Sequence, residues 1–293
     1  MSASEQMERL GLRLLGRRRP HVRTLTDHDR NDLLALCRRD PVTNVFVMER
    51  ALSPVPLSQG GQLWGWFEEA QLVSACWSGA NFVLVEPTPA AVEAFAGRAR
   101  TEGRRCMSIF GAAEPTLALW GLLEPHWKAP REIRPDQPVM VLDGPPAIPP
   151  DPGVRVAVPD DLDMLVPACV AMFTEEVGYS PVSGDGGWSY RARIEYLVRS
   201  GRSFLRVDEF GNVIFKAELG AISDTVAQVQ GVYVHPQVRG RGLAAPGMAA
   251  VAELAQAQVP VISLYVNEFN TPAVAAYRRA GFRQVGTFAT VLF

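Results

Sequence analysis

The sequence predicts a mixed α/β protein made of two similar halves, each a mostly antiparallel sheet flanked by helices. Three observations carry this. From residue 154 onward, strand-like and helix-like segments follow in the order β-α-α-β-β-β-α-β-α-β. A blurred version of that order runs from about residue 21 to about residue 112. Between the two, "KAPREIRPDQPVMVLDGPPAIPPDPG" (128–153) holds too much proline for a long helix, although "PVMVL" fits one edge strand. The expected divisions are an extension over 1–20, a first domain over 21–145 and a second over 152–293.

The second half can be justified element by element. "VRVAV" alternates as a strand, and "PDDLDMLVPACVAMF" is a helix with acidic residues in its first turn. The loop "TEEVGYSPVSGDGG" leads to the helix "WSYRARIEYLVRSG", ended by Gly201. Then "SFLRVDE", "VIFKAELGAIS" and "AQVQGVYV" form three strands in hairpin succession. An Ala-rich helix to about Gln258, the strand "PVISLYV", the helix "TPAVAAYRRAG" and the strand "RQVGTFATVLF" complete it. In the first half the strand "VRTL" precedes the helices "DHDRNDLLALCRRD" and "DPVTNVFVMERAL". The strands "QLWGWFEE", "QLVSACW" and "NFVLVE" follow, then the helix "PAAVEAFAGRARTEG" and the strand "CMSIFG".

Composition narrows the function classes. With 293 residues, 47% hydrophobic and 20% charged, the chain suits a globular protein of about two domains. A net charge of −2 argues against nucleic acid as the main partner. Cys37, Cys76, Cys106 and Cys169 are widely spaced and read as free thiols of a reducing compartment. Neither they nor the four histidines have metal-ligand spacing, so no metal is expected. No stretch reaches the ~18–20 apolar residues of a membrane span, and the N-terminus lacks the apolar core of a signal peptide. A cytoplasmic protein without a membrane partner is expected, its oligomeric state open.

The chemistry concentrates in "HPQVRGRGLAAPG" (235–247), set between a strand and a helix. Glycines spaced this way let backbone N–H groups approach an anion. "GRGLAA" fits the dinucleotide pattern G-x-G-x-x-A. Against that reading, five residues separate Val234 from Gly240, an antiparallel meander lies upstream, and too little chain follows for a doubly wound sheet. Gln237, Gly240 and Gly242 instead form Q-x-x-G-x-G, and "NTPAVAAYRRAGF" supplies Asn270, Ala273, Tyr277 and Gly281-Phe282 in the pattern N-x-x-A-x-x-x-Y-x-x-x-G-F. Together these resemble the two acyl-CoA signatures of the GNAT superfamily of N-acyltransferases. The likeness covers 154–293 well and the first half in outline. The whole is similar to two-domain GNAT proteins of high-GC bacteria, whose N-terminal domain has no assigned function. It implies tandem GNAT-like domains with intact acyl-CoA motifs in the second.

The resemblance implies acetyl-CoA as co-substrate and a small-molecule or peptide amine as acceptor. Backbone N–H groups from Val238 to Leu243 would take the pyrophosphate, helped by Arg239 and Arg241. A bulge at Gly231 would free Val232 and Val234 to pair with the pantetheine arm. Tyr277 is the candidate acid for the leaving thiolate, and Asn270 either contacts CoA or caps its helix. The slot where many GNAT enzymes carry a basic glutamate falls near Gln228, which cannot accept a proton. Glu218, on the face of its strand shared with Lys216, is the substitute, with Glu175 and Glu176 of the "TEEVG" loop as alternatives. A non-catalytic acyl-CoA sensor, or a tandem synthase of small-thiol or cell-envelope metabolism, are the competing functions.

Overall fold

The computed structural model describes residues 20–182 and 186–293; the expected extension lies outside the described residues except for its last position. The first half runs β1 (His21–Thr24), α1 (Arg30–Cys37), α2 (Val45–Leu52), β2 (Gly61–Glu68), β3 (Gln71–Gly79), β4 (Asn81–Val85), α3 (Pro89–Glu102), β5 (Ser108–Ala112), α4 (Ala113–Leu123) and β6 (Glu132–Leu142). The second runs β7 (Arg155–Val156), α5 (Leu162–Val177), α6 (Trp188–Arg199), β8 (Ser203–Val207), β9 (Val213–Ile222), β10 (Val226–Val234), α7 (Ala244–Gln256), β11 (Val261–Tyr265), α8 (Thr271–Ala280) and β12 (Arg283–Leu292). The two orders are identical. The sequence pattern alone leaves out α4, and it ends the first long helix of the second half too early. That helix, α5, continues through Glu175 and Glu176 to Gly178, whose positive φ of 82° stops it.

The twelve strands of the described residues form one sheet, in the order β1-β2-β3-β4-β5-β12-β6-β11-β10-β9-β8-β7. The closing strand of each half therefore lies against the fifth strand of the other. On β6, Met140 stands opposite Leu264 of β11 on one side and Gln284 of β12 on the other. On the far side of β12, Phe288 pairs with Ala112 of β5. The segment containing "PVMVL" is thus a central strand of eleven residues rather than an edge strand. Its prolines are tolerated for local reasons. Pro135 falls where the register against β12 slips between Phe288 and Thr290, and the Pro138 carbonyl still accepts from the Val266 N–H at 3.2 Å.

Helices cover both faces of the second half. Met248 and Val251 of α7 and Tyr277 and Ala280 of α8 pack with Phe215, Val229 and Leu264. Leu165 and Cys169 of α5 and Ile194 of α6 pack with Leu205 and Tyr233 on the opposite face. Gly247 explains one glycine of the loop–helix segment, since a Cβ there would stand 2.7 Å from the Phe215 ring. The halves also touch beyond the shared strands. Val45 of α2 packs on Ala221 and Val226, and Glu49 accepts from Arg202 at 2.5 Å.

This exchange makes a direct prediction. A fragment of residues 150–293 lacks β6 and leaves facing edges of β11 and β12 unpaired in the middle of its sheet. It should be insoluble or expanded by size exclusion and circular dichroism, and co-expression with 20–149 should restore a compact complex. A compact, cooperatively unfolding 150–293 fragment would show that β6 is dispensable.

Candidate active site

The site starts from a parting of two strands. β10 pairs in parallel with β11 only from Val226 to Gln228, opposite Val261 to Ser263. Beyond Gln228 the strands diverge, and a cavity of about 1160 Å³ occupies the gap. Val229 to Val234 line one side and Leu264 to Asn267 the other. The divergence coincides with a bulge, because the register of β10 against β9 jumps between Gln230 and Tyr233. Gly231, at φ +60°, sits in that bulge and lines the cavity.

At one end of the gap lies the glycine loop. The N–H groups of Gly240, Arg241, Gly242 and Leu243 donate to no backbone carbonyl among the described residues, and α7 has no side-chain N-cap. Gly240 and Gly242 have φ of +74° and +80°, and the space a Cβ would take at each is open. Free donors, positive φ and open space at a helix N-terminus make an anion cradle. Pro246 does not disturb it: as the third residue of α7 it lacks an N–H that would have no helical partner. Val238, Arg239, Gly240, Gly242 and Leu243 line the cavity, whereas Gln237 and Arg241 lie outside its lining and are exposed. Arg239 is held by Glu175 through two bonds of 2.8 and 2.7 Å. That pair draws the Glu175 carboxyl below its ordinary range.

Tyr277 reaches the cavity from α8, its ring in the core and its hydroxyl bonded to no described residue. Burial, then the Glu176 carboxylate, push this phenol well above its ordinary value, so it stays protonated at neutral pH. Asn270 caps its helix, its Oδ1 accepting from the Ala273 N–H at 3.3 Å, and it also lines the cavity. Glu176 lies in the last turn of α5, where its carboxylate enters the cavity with 53% of the side-chain surface still accessible. Desolvation between the cavity walls raises its pKa, opposed by the Arg134 guanidinium 3.8 Å away and by Lys216. A carboxylate raised in this way is a better base near neutrality.

Glu218, expected to face a substrate, is placed otherwise. It is buried on β9 and does not line the cavity. Its Oε2 accepts from Lys216 Nζ at 3.1 Å and its Oε1 from Gln230 Nε2 at 2.8 Å and from Arg193 at 3.2 Å. Burial alone would raise its pKa, but Lys216 and Arg193 outweigh it and hold the carboxyl below its ordinary range. Lys216, fully buried, also donates to Cys169 Sγ at 3.4 Å. A Cβ on Gly231 would stand 3.1 Å from Lys216 Nζ, 3.1 Å from Met172 Cε and 3.2 Å from Glu218 Cδ, so this cluster packs directly behind the glycine that lines the cavity. Gln228 is buried beside Ser263, before the gap opens.

The residues that sequence reasoning missed come mainly from β6 and the residue before it. Arg131, Glu132, Arg134 and Gln137 line the cavity together with Tyr265 of β11. Arg134 grips Glu132 at 2.9 and 3.0 Å and donates to the Glu176 carbonyl at 2.9 Å, tying the end of α5 to the exchanged strand. Gln137 donates to Asn267 at 2.8 Å and accepts from Thr290 at 2.6 Å. Burial, then Glu176, push the Tyr265 phenol up to about 12. The alternation in "EIRPDQ" is a signal for this strand, hidden by its two prolines.

Residues 175–282 match the model of the Acetyltransferase (GNAT) family. Solved structures share the architecture. The chain has the GNAT fold. A GCN5-related N-acetyltransferase from Sphaerobacter thermophilus is 18% identical, with 94% of this chain and 96% of that one covered at a TM-score of 0.61. An acetyltransferase of the GNAT family from Colwellia psychrerythraea is 14% identical over 93% and 99%, at 0.55. A tandem GNAT protein from the clavulanic acid biosynthesis pathway is 17% identical over 93% and 98%, at 0.54. At such identities these GNAT structures establish the fold alone. Residues 61–165 match a domain of unknown function, DUF4081, a span that includes β6 and crosses the proline-rich joint. No curated protein sequence matches the chain.

The buried cluster behind Gly231 gives a stability prediction. Glu218→Gln leaves Lys216 buried without its carboxylate and should cost about 3–5 kcal/mol in urea unfolding at neutral pH. Replacing both partners, as Lys216→Met with Glu218→Leu, should recover most of that loss. A loss in the double variant equal to the sum of the losses in the two single variants would mean that the two charges do not depend on each other.

Proposed function

We propose that the second half is a CoA-dependent N-acyltransferase, with acetyl-CoA as donor and a small-molecule or peptide amine as acceptor. The observation that carries this reading is the single cavity in which the unbonded N–H groups of the glycine loop, the Tyr277 phenol and the Glu176 carboxylate meet. Acetyl-CoA supplies an acyl group activated as a thioester. The N–H groups of the loop and the start of α7 hold its pyrophosphate, and Arg239 exchanges Glu175 for a phosphate. Exposed backbone at Val232 and Val234 offers the pantetheine arm a strand edge to pair with. Glu176 takes a proton from the acceptor ammonium, so that the nitrogen lone pair is free to attack the thioester carbon. As the carbon–sulfur bond breaks, Tyr277 gives its proton to the departing thiolate, while the attacking nitrogen loses its second proton to solvent to become the amide. Tyr277 is reprotonated from solvent, and Glu176 gives up the proton it took there. Glu218 serves the bulge and not the proton, through its hold on Gln230.

The direct test is release of CoA from acetyl-CoA in the presence of pooled amines. Saturable binding of acetyl-CoA without turnover of any amine would overturn catalysis.

Three variants extend it. Tyr277→Phe should lower kcat by about 10²–10⁴-fold with the dissociation constant for acetyl-CoA unchanged; an unchanged chemical rate returns Tyr277 to the core. In the wild type kcat/KM should fall with pH as Glu176 protonates, in a limb above the ordinary carboxylate range because its pKa is raised. Glu176→Gln should abolish that limb, and its persistence would assign the base elsewhere. Glu175→Gln frees Arg239 and should tighten acetyl-CoA binding a few-fold, in line with the roughly 0.2–1 kcal/mol of an exposed ion pair. Calorimetry showing weaker binding would mean that Glu175 helps to hold the loop.

A further inference from the structure

The acceptor end of the cavity carries one positive charge more than the proposed chemistry uses. Four arginines line the cavity: Arg239 stands at the glycine loop, Arg279 on α8 beside Asn270 and Tyr277, and the other two beside Glu176, Arg134 on β6 and Arg131 just before that strand. Arg134 is committed: its side chain is 9% exposed, and Glu132 and the Glu176 carbonyl take its donors. Arg131 has no carboxylate within ion-pair distance among the described residues. Its place is nevertheless fixed. Its backbone N–H donates to the Leu292 carbonyl at 2.7 Å, and its guanidinium lies over the Tyr179 ring at 5.3 Å. Tyr179 follows Glu176 by three residues and packs edge-on against Phe173 of α5. Arg134 also lies 3.8 Å from the Glu176 carboxylate; with that carboxylate reserved for the amine, Arg131 and Arg134 face Glu132 alone. An arginine held by its face against an aromatic ring keeps its N–H edge free, and that edge matches the two oxygens of a carboxylate or a phosphate.

We propose that the acceptor is an amine that also carries an anionic group, held by Arg131 while the amine nitrogen lies toward Glu176 and the acyl carbon. This rests on the acyltransferase reading above and adds a substrate class to it. The first half thereby takes part in the reaction, since the head of its exchanged strand supplies the side chain that selects the acceptor.

The test uses the full chain and matched acceptor pairs. α-Amino acids are compared with their amides, and aminoalkyl phosphates with the corresponding amino alcohols, by release of CoA from acetyl-CoA. An anionic amine should exceed its neutral partner in kcat/KM by about 10–100-fold, the range expected for a charge-assisted contact. The two pairs distinguish carboxylate from phosphate. In Arg131→Gln the ratio should collapse toward one, mainly through KM, and in Arg131→Lys it should be intermediate, since the charge remains without the fork. Neutral amines used as well as their anionic partners, or a ratio unchanged in Arg131→Gln, would overturn the inference and leave acyl transfer standing. If no amine is turned over, acyl transfer fails, and calorimetry of the same anionic amines with CoA present decides the anion site. Binding by the wild type and not by Arg131→Gln supports it; equal binding, or none, overturns it.

Discussion

The insertion of β6 between β11 and β12 is the constraint on which the rest of the molecule depends. Backbone donors and acceptors in the middle of a sheet need partners on both sides, and each half ends one strand short of supplying them to itself. By exchanging closing strands, the halves satisfy both sets at once and merge into one twelve-stranded sheet. The same act places Arg131, Arg134 and Gln137 beside the gap between β10 and β11. Sheet completion and construction of the cavity wall are therefore one event.

The gap itself needs a device to stay open, because two diverging strands give up ladder hydrogen bonds. The bulge at Gly231 turns β10 away, and behind it Lys216 and Glu218 fill the space where a side chain on that residue would stand. A buried ion pair is an expensive filler unless its remaining donors and acceptors are occupied. Here Arg193, Gln230 and Cys169 occupy them. Through Gln230 the cluster reaches a residue that lines the cavity, so its rigidity passes directly to the surface along which the pantetheine arm is proposed to lie.

The first half repeats the topology but closes the corresponding features. β4 and β5 pair only at Asn81 and Phe82, as β10 and β11 part early. Phe110, next along β5, is packed edge-on against Phe46 of α2. At the start of α3 the Thr88 side chain caps the Ala91 N–H, and Pro89 carries no N–H at all. Two of the first three donors are thus capped or missing at α3, where α7 has no side-chain cap. The same fold supports an open cradle in one copy and a sealed core in the other through a handful of side chains. Phe110 also stacks at 6.3 Å on Tyr265, so the sealed half braces a wall of the open one.

Much of this was legible in the residues. Local periodicity gave the order of elements, α4 excepted, because helix and strand periods are properties of short windows. Gly240 and Gly242 revealed the cradle because positive φ and an absent Cβ are local requirements, and the spacing from Asn270 to Tyr277 is set by a single helix. Strand partners, in contrast, are chosen across the chain. That "EIRPDQPVMVL" is central rather than an edge follows from what lies on either side of it, which no window of sequence contains. Glu218 and Glu176 show the same division. Sequence offered both as carboxylates, Glu218 on a strand and Glu176 in a loop. Only packing decided that Glu218 is enclosed by Lys216, Arg193 and Gln230 while Glu176 ends a helix inside the cavity. The identity of a base depends on its neighbours in space, and the chain brings those together only when it folds.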